Sequence, residues 1–187
     1  IIFTSKTILL TEHDIIRGCK QGVSRYQRML VERYSPMLFT VARRYGRDRH
    51  AAEDVLQDAL LKIFRAIPKY EPTGSFEAWM RRIVVTTALQ SLDKSWSQRE
   101  VGNLDYAAEP AEPPDIFARL GAEELLHLIA KLPEGFRQIF NLHIIEQYPH
   151  TEIATMLGIT ESTSRSQLTR ARRLLQSMIA EREKIKV

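Results

Sequence analysis

Apolar residues recur at three- and four-residue steps through most of this 187-residue chain, and the pattern breaks down over a long stretch only once, from Ser95 to about Asp115. Such spacing lines one side of an α-helix, and the alternation of a half-buried strand is absent. An all-α fold is therefore expected, with two small helical domains joined by a flexible linker. The interval is polar and carries Pro110, Pro113 and Pro114. Between Leu104 and Asp115 it holds the acids Asp105, Glu109, Glu112 and Asp115 and no Lys or Arg. That composition lacks apolar surface to bury, so it reads as an acidic linker serving reach and solubility. A sharper role would be mimicry of nucleic acid inside a partner's basic channel. The expected boundaries are 8–94 for the first domain, 95–115 for the linker and 116–187 for the second.

In the first domain, Ser24-x-x-Gln27 has the form of a capping box. It opens a helix with Tyr26, Leu30, Val31, Tyr34, Leu38 and Val41 on one side. Pro36 is expected to kink or restart that helix, because proline lacks the amide a continuous helix uses. From about Asp48 to Ala66, a second stripe is formed by Ala52, Val55, Leu56, Ala59, Leu60 and Ile63. A Pro- and Gly-punctuated loop, Pro68–Gly74, comes next. Ser75 can then cap a helix whose Phe76, Trp79, Met80, Ile83, Val84 and Ala88 close the first core.

Composition excludes several classes. A hydrophobic content of 44% supports real cores, so the chain is not a disordered one. No apolar run approaches the roughly 20 residues that span a bilayer, so no membrane insertion is expected. The stretch Ile1–Lys6 is too short for a secretory signal, and none is expected there. The lone Cys19 excludes an internal disulfide framework and a multi-cysteine zinc site, and reads as a reduced, half-buried residue of a cytoplasmic protein. The net charge of +4 is mild, so its distribution matters more than its sum.

The strongest local signal lies near the C-terminus. Thr151–Leu157 reads as a short helix stopped by Gly158, a residue suited to the left-handed conformation at a helix end. Thr160 can cap the helix that follows. Ala154 permits close crossing, and Ile153, Leu157, Ile159, Leu168 and Leu175 supply the wedge. Two helices joined by a tight glycine turn make a helix-turn-helix, whose second helix enters the major groove. Its inward stripe is Leu168, Ala171, Leu174, Leu175 and Met178. Thr163, Arg165, Ser166, Gln167, Thr169, Arg170 and Arg173 are placed outward or at the margins. Guanidinium, amide and hydroxyl groups of this kind suit base edges and phosphates. An ordinary solvated basic helix is the plain alternative.

Two further features concern binding. Asp54, Gln57, Asp58 and Leu61 share the outward side of the Asp48–Ala66 helix, where an exposed Leu among acids suits docking on a basic protein surface. A merely solvated acidic face is the competing account. The Lys69–Ser75 loop, with Tyr70, adjoins the helix bearing Trp79, Arg81 and Arg82, and aromatic and basic groups there could hold an unstacked base. Trp79 itself is expected chiefly in the core. No catalysis is expected. Glu124-x-x-His127 matches half of a di-metal motif, but no second copy exists, and His50, His143 and His150 lack metal-ligand spacing. Neither a metal nor a cofactor is expected.

The chain resembles the extracytoplasmic-function group of bacterial sigma factors. One block is Ala52-Glu53-Asp54-Val55-Leu56-Gln57-Asp58 followed by Phe76-x-x-Trp79-x-x-x-Ile83. The other runs Leu132-Pro133-x-x-x-Arg137-x-x-Phe140-x-Leu142, Glu152-Ile153-Ala154-x-x-Leu157-Gly158-Ile159 and Thr163–Ala171. The resemblance implies a two-domain initiation factor that binds bacterial core RNA polymerase and promoter DNA. Asp54, Gln57, Asp58 and Leu61 would dock on the coiled coil of the polymerase's largest subunit. Lys69, Tyr70, Arg81, Arg82, Thr86 and Gln90 would melt and read the minus-ten element, and the helix after Gly158 the minus-thirty-five element. The linker would thread toward the RNA exit channel, and an anti-sigma factor would be a further partner. The chain departs from the family pattern at Thr86, Gln90 and Asp93, where Asn, Asp and Arg are usual, and at Ser162, where Gly is common. A stand-alone helix-turn-helix regulator that does not join polymerase is the alternative.

Overall fold

The computed structural model describes residues 11–46, 48–91 and 121–185, and among them every regular element is helical. The chain divides into two compact units, residues 1–91 and 92–187. The expected linker at 95–115 lies outside the described residues.

The first unit contains α1 (Glu12–Lys20), α2 (Ser24–Tyr45), α3 (Arg49–Ala66), a 3₁₀ turn (Ile67–Lys69) and α4 (Phe76–Ser91). Helices α2, α3 and α4 pack on one another, and α1 lies against α2. Leu30, Tyr34, Leu38, Ala52, Ala59, Ile63, Phe76, Met80 and Val84 form the sealed core. Asp48 caps α3, its Oδ1 accepting from the Ala51 amide at 2.9 Å. The capping box falls elsewhere than the sequence led us to expect. Thr11 Oγ1 accepts from the Asp14 amide, and Asp14 Oδ2 accepts from the Thr11 amide at 3.1 Å. Helix α2 begins at Ser24, but its cap position is Val23 and no side chain caps it. The turn at Gly22 (φ +72°) instead delivers backbone bonds, Val23 N to Gly18 O and Tyr26 N to Val23 O, that serve the helix start. Cys19 is fully buried rather than half-buried, and burial pushes its thiol pKa up, away from the reactive thiolate.

Pro36 does not divide α2, which is continuous through it. Proline removes one helical hydrogen bond, and here it sits on the exposed side. The buried residues before and after it, Leu30, Tyr34, Leu38 and Val41, hold both halves against one core. The Thr40 hydroxyl donates to the Pro36 carbonyl at 3.0 Å.

The second unit contains α5 (Ala122–Ala130), α6 (Glu134–Phe140), a π-helical turn (Asn141–Ile145), α7 (His150–Leu157) and α8 (Glu161–Ile185). Helices α6 and α7 pack on α8 around Phe136, Ile139, Leu142, Ile153, Leu168, Ala171 and Leu175.

Candidate nucleic-acid and protein interfaces

The helix-turn-helix is built by local chemistry. Helix α7 ends at Gly158 with φ +68° and ψ +35°, the left-handed conformation that costs other L-residues about 1–2 kcal/mol. The Ile159 amide returns to the Ala154 carbonyl at 3.0 Å. Thr160 Oγ1 then accepts from the Thr163 amide at 3.1 Å and starts α8. Of the expected wedge, Ile153, Leu168 and Leu175 are buried, and Leu157 and Ile159 are half-buried.

Along α8, Arg165, Ser166 and Thr169 are exposed, while Thr163, Arg170 and Arg173 are half-buried at the margins. Arg165 pairs with Glu161 one turn earlier, its Nε donating to Glu161 Oε1 at 3.1 Å. The Ser166 and Thr169 hydroxyls bond back to the helix at Thr163 O and Arg165 O. Gln167 corrects the expected outward placement: it is 3% exposed, turned into the unit, and its Oε1 has no hydrogen-bond partner among the described residues. It lies one helical turn before Ala171 on the buried side, so the stripe that includes Leu168 and Leu175 is wider than apolar spacing alone implied.

On α3, Asp54, Gln57, Asp58 and Leu61 are all exposed on one side, and Leu61 keeps 55% of its surface open. The grouping inferred from three- and four-residue spacing is thus present as a solvent-facing strip.

The loop before α4 is strapped to the first core. Tyr70 is 6% exposed, and its ring centroid lies 5.1 Å from Phe76 and 4.8 Å from Trp79. Its hydroxyl donates to the Gly74 carbonyl at 3.2 Å, and Lys20 Nζ donates to its carbonyl at 2.6 Å. Burial raises the Tyr70 phenol pKa, with the charge of Glu12 adding to the effect. Tyr70 is expected among the DNA contacts; its ring packs into the core, where Phe76 and Trp79 of α4 close over it. Trp79 is half-buried and stacks on Phe76 at 5.5 Å. Lys69 and Arg82 are exposed, whereas half-buried Arg81 rests its Nε 3.4 Å from Met37 Sδ. The Thr86 hydroxyl is turned back on its helix, donating to Arg82 O at 2.9 Å. Gln90 is exposed, its Oε1 accepting from Lys62 Nζ at 2.9 Å. Asp93 lies outside the described residues. Sequence reading missed Lys20 and Lys62, whose partners are 50 and 28 residues away and leave no local signal.

No helix among the described residues is long and apolar enough to cross a membrane. Among the same residues, no group of three or more His, Cys, Asp or Glu side chains is placed to hold a metal ion.

Two family descriptions match this chain, sigma-70 region 2 over residues 30–98 and sigma-70 region 4 over residues 122–175. The ECF RNA polymerase sigma factor SigE of Mycolicibacterium smegmatis is 33% identical over 157 residues, covering 81% of this chain and 60% of that longer protein. The ECF RNA polymerase sigma-E factor of Haemophilus influenzae is 28% identical, covering 91% of this chain and 96% of the relative. Among solved structures, the sigma factor RpoE in complex with the anti-sigma factor NepR from Bartonella quintana shares the fold. Its TM-score is 0.52 at 20% identity, over 84% of this chain and 98% of that one. The chain belongs to the extracytoplasmic-function group of the sigma-70 family, whose members are transcription initiation factors.

Proposed function

We propose that the chain binds core RNA polymerase in the cytoplasm and directs initiation at its own set of promoters, acting by binding rather than by catalysis. The observation that carries this reading is the helix-turn-helix of the second unit: the left-handed Gly158, the Thr160 cap and the exposed Arg165, Ser166 and Thr169 on α8. In this reading the N-terminal half of α8 lies in the major groove of the minus-thirty-five element. Arg165, Arg170 and Arg173 neutralise phosphates or donate to guanine, with Thr163, Ser166 and Thr169 beside them. Asp54, Gln57, Asp58 and Leu61 form the polymerase-docking strip, two acids and an amide with an exposed apolar contact at its C-terminal end.

The minus-ten element falls to the first unit. Lys69 and Arg82 are exposed at the loop and on α4, so they contact the backbone of the opened strand, and Arg81 flanks them. Thr86 and Gln90 meet DNA with the groups their own bonds leave over, the Thr86 hydroxyl oxygen as acceptor and the Gln90 amide NH2 as donor, and Lys62 beside them adds a positive charge. An anti-sigma factor is a natural partner, as the solved relative was captured with one.

Run-off transcription from fragments of the source genome, with bacterial core polymerase alone and with the chain added, tests the proposal. Discrete new transcripts are expected only on addition. Duplex binding without any new transcript would overturn it in favour of a stand-alone regulator.

A further inference from the structure

The turn that leads into α7 holds a pair of imidazoles that the reading above leaves without a role. The backbone passes from the π-helical turn through Gln147 at φ +59°, a strained value for a non-glycine residue. Two backbone bonds fix it, Glu146 N to Asn141 O and Tyr148 N to Leu142 O, both 2.9 Å. His143 Nδ1 donates to the Tyr148 carbonyl at 3.0 Å, since a carbonyl can only accept. The His143 ring stacks on that of His150 with centroids 4.1 Å apart and planes 17° apart. His150 opens α7, is 9% exposed, and sets its Nδ1 2.8 Å from the Ser164 hydroxyl. Ser164 is fully buried in the first turn of α8, between Thr163 and Arg165.

We propose that His150, through Ser164, is a positioning residue that sets the first turn of the recognition helix, and that duplex promoter binding consequently weakens once the solution is acid enough to protonate His150 in the folded chain. The proposal rests on the reading of α8 as the recognition helix. In this proposal the Ser164 hydroxyl donates and the neutral His150 ring accepts at Nδ1; a protonated ring can only donate there, which reverses the bond and turns the Ser164 hydroxyl. A proton on His150 would also sit in a buried site, face to face with His143. The charged groups nearby on α8 are Arg165 and Arg172, which oppose a proton, and Glu161, which favours one. Burial leads these effects and, with His143 next, holds the His150 pKa below the usual histidine value. The unfolded chain therefore takes up this proton first. The stabilising contribution is complete above about pH 6.5 and is lost as pH falls toward the folded value.

The test is fluorescence anisotropy of the full chain with a labelled duplex promoter from pH 8 to 5.5 at fixed ionic strength, comparing the natural chain with His150→Gln. Glutamine keeps a neutral group able to bond Ser164 at every pH. His13, His50, His127 and His143 are present in both proteins, so a difference between the two profiles arises from position 150 and the ring stacked on it. The natural chain is expected to lose affinity several-fold, up to the roughly tenfold per pH unit that one proton allows. His150→Gln should bind within about twofold of it at pH 7.5 and show a flat profile. Ser164→Ala should bind more weakly at pH 7.5. Urea unfolding of the same proteins, followed by circular dichroism at pH 7.5 and 5.5, should show the same ordering. Identical pH profiles for the natural chain and His150→Gln would overturn this inference alone. Absence of duplex binding by folded protein at any pH would overturn the recognition-helix reading and the inference with it.

Discussion

The two units use different interiors for different work. In the first, the aliphatic core is closed by a cluster of Tyr34, Tyr70, Phe76 and Trp79 rings, and Thr87 is the buried polar residue among those described. The buried Tyr34 hydroxyl is satisfied by Glu12 Oε2 at 2.8 Å, an arrangement that, after burial itself, raises its pKa. The second unit buries Gln138, Asn141, His150, Ser164 and Gln167. Both amide atoms of Gln138 lack a hydrogen-bond partner among the described residues, a costly arrangement in a small core. The aromatic cluster in the first unit carries the loop before α4 on the same core that α3 packs against. The polar interior makes the second unit responsive, because small changes in hydrogen bonding or charge are large against its stability.

The contrast can be broken most directly at its aromatic centre. Phe76→Ala should cost the first unit about 3–5 kcal/mol, read as an early urea transition in tryptophan fluorescence, while duplex binding by the second unit survives. Loss of both together would show that the units do not unfold separately. Next in size, Asp54→Lys combined with Asp58→Lys places like charges where a basic surface should dock, which costs several kcal/mol of association. Polymerase co-elution should disappear with unfolding unchanged; retained co-elution would put docking elsewhere. On the other unit, Arg165→Ala with Arg170→Ala should lower the log–log salt slope of duplex binding by about 2. An unaltered slope would remove α8 as the phosphate-contacting helix. The smallest effect is expected at Gly158→Ala, about 1–2 kcal/mol from the left-handed backbone, measured as an earlier urea transition of the second unit. Nothing lies within 4 Å of the added Cβ, so the cost is conformational. Gly18→Ala in the first unit sharpens the comparison, because there the added Cβ would fall 2.1 Å from the Tyr26 ring and the cost is steric.

What the sequence by itself determined is local. The helical periods, the Gly158 turn and the Thr160 cap each depend on residues within one or two turns of one another. The exposed strip of Asp54, Gln57, Asp58 and Leu61 follows from the period of a single helix. Tertiary structure decided what depends on neighbours far along the chain. Pro36 stays within one helix because two halves share a core. Tyr70 is drawn inward by α4 and Lys20, Gln167 is covered by the packing of its unit, and His150 meets Ser164 across the helix-turn-helix. Propensity and capping act over a few residues, whereas burial depends on which surfaces meet, and no single helical period carries that information.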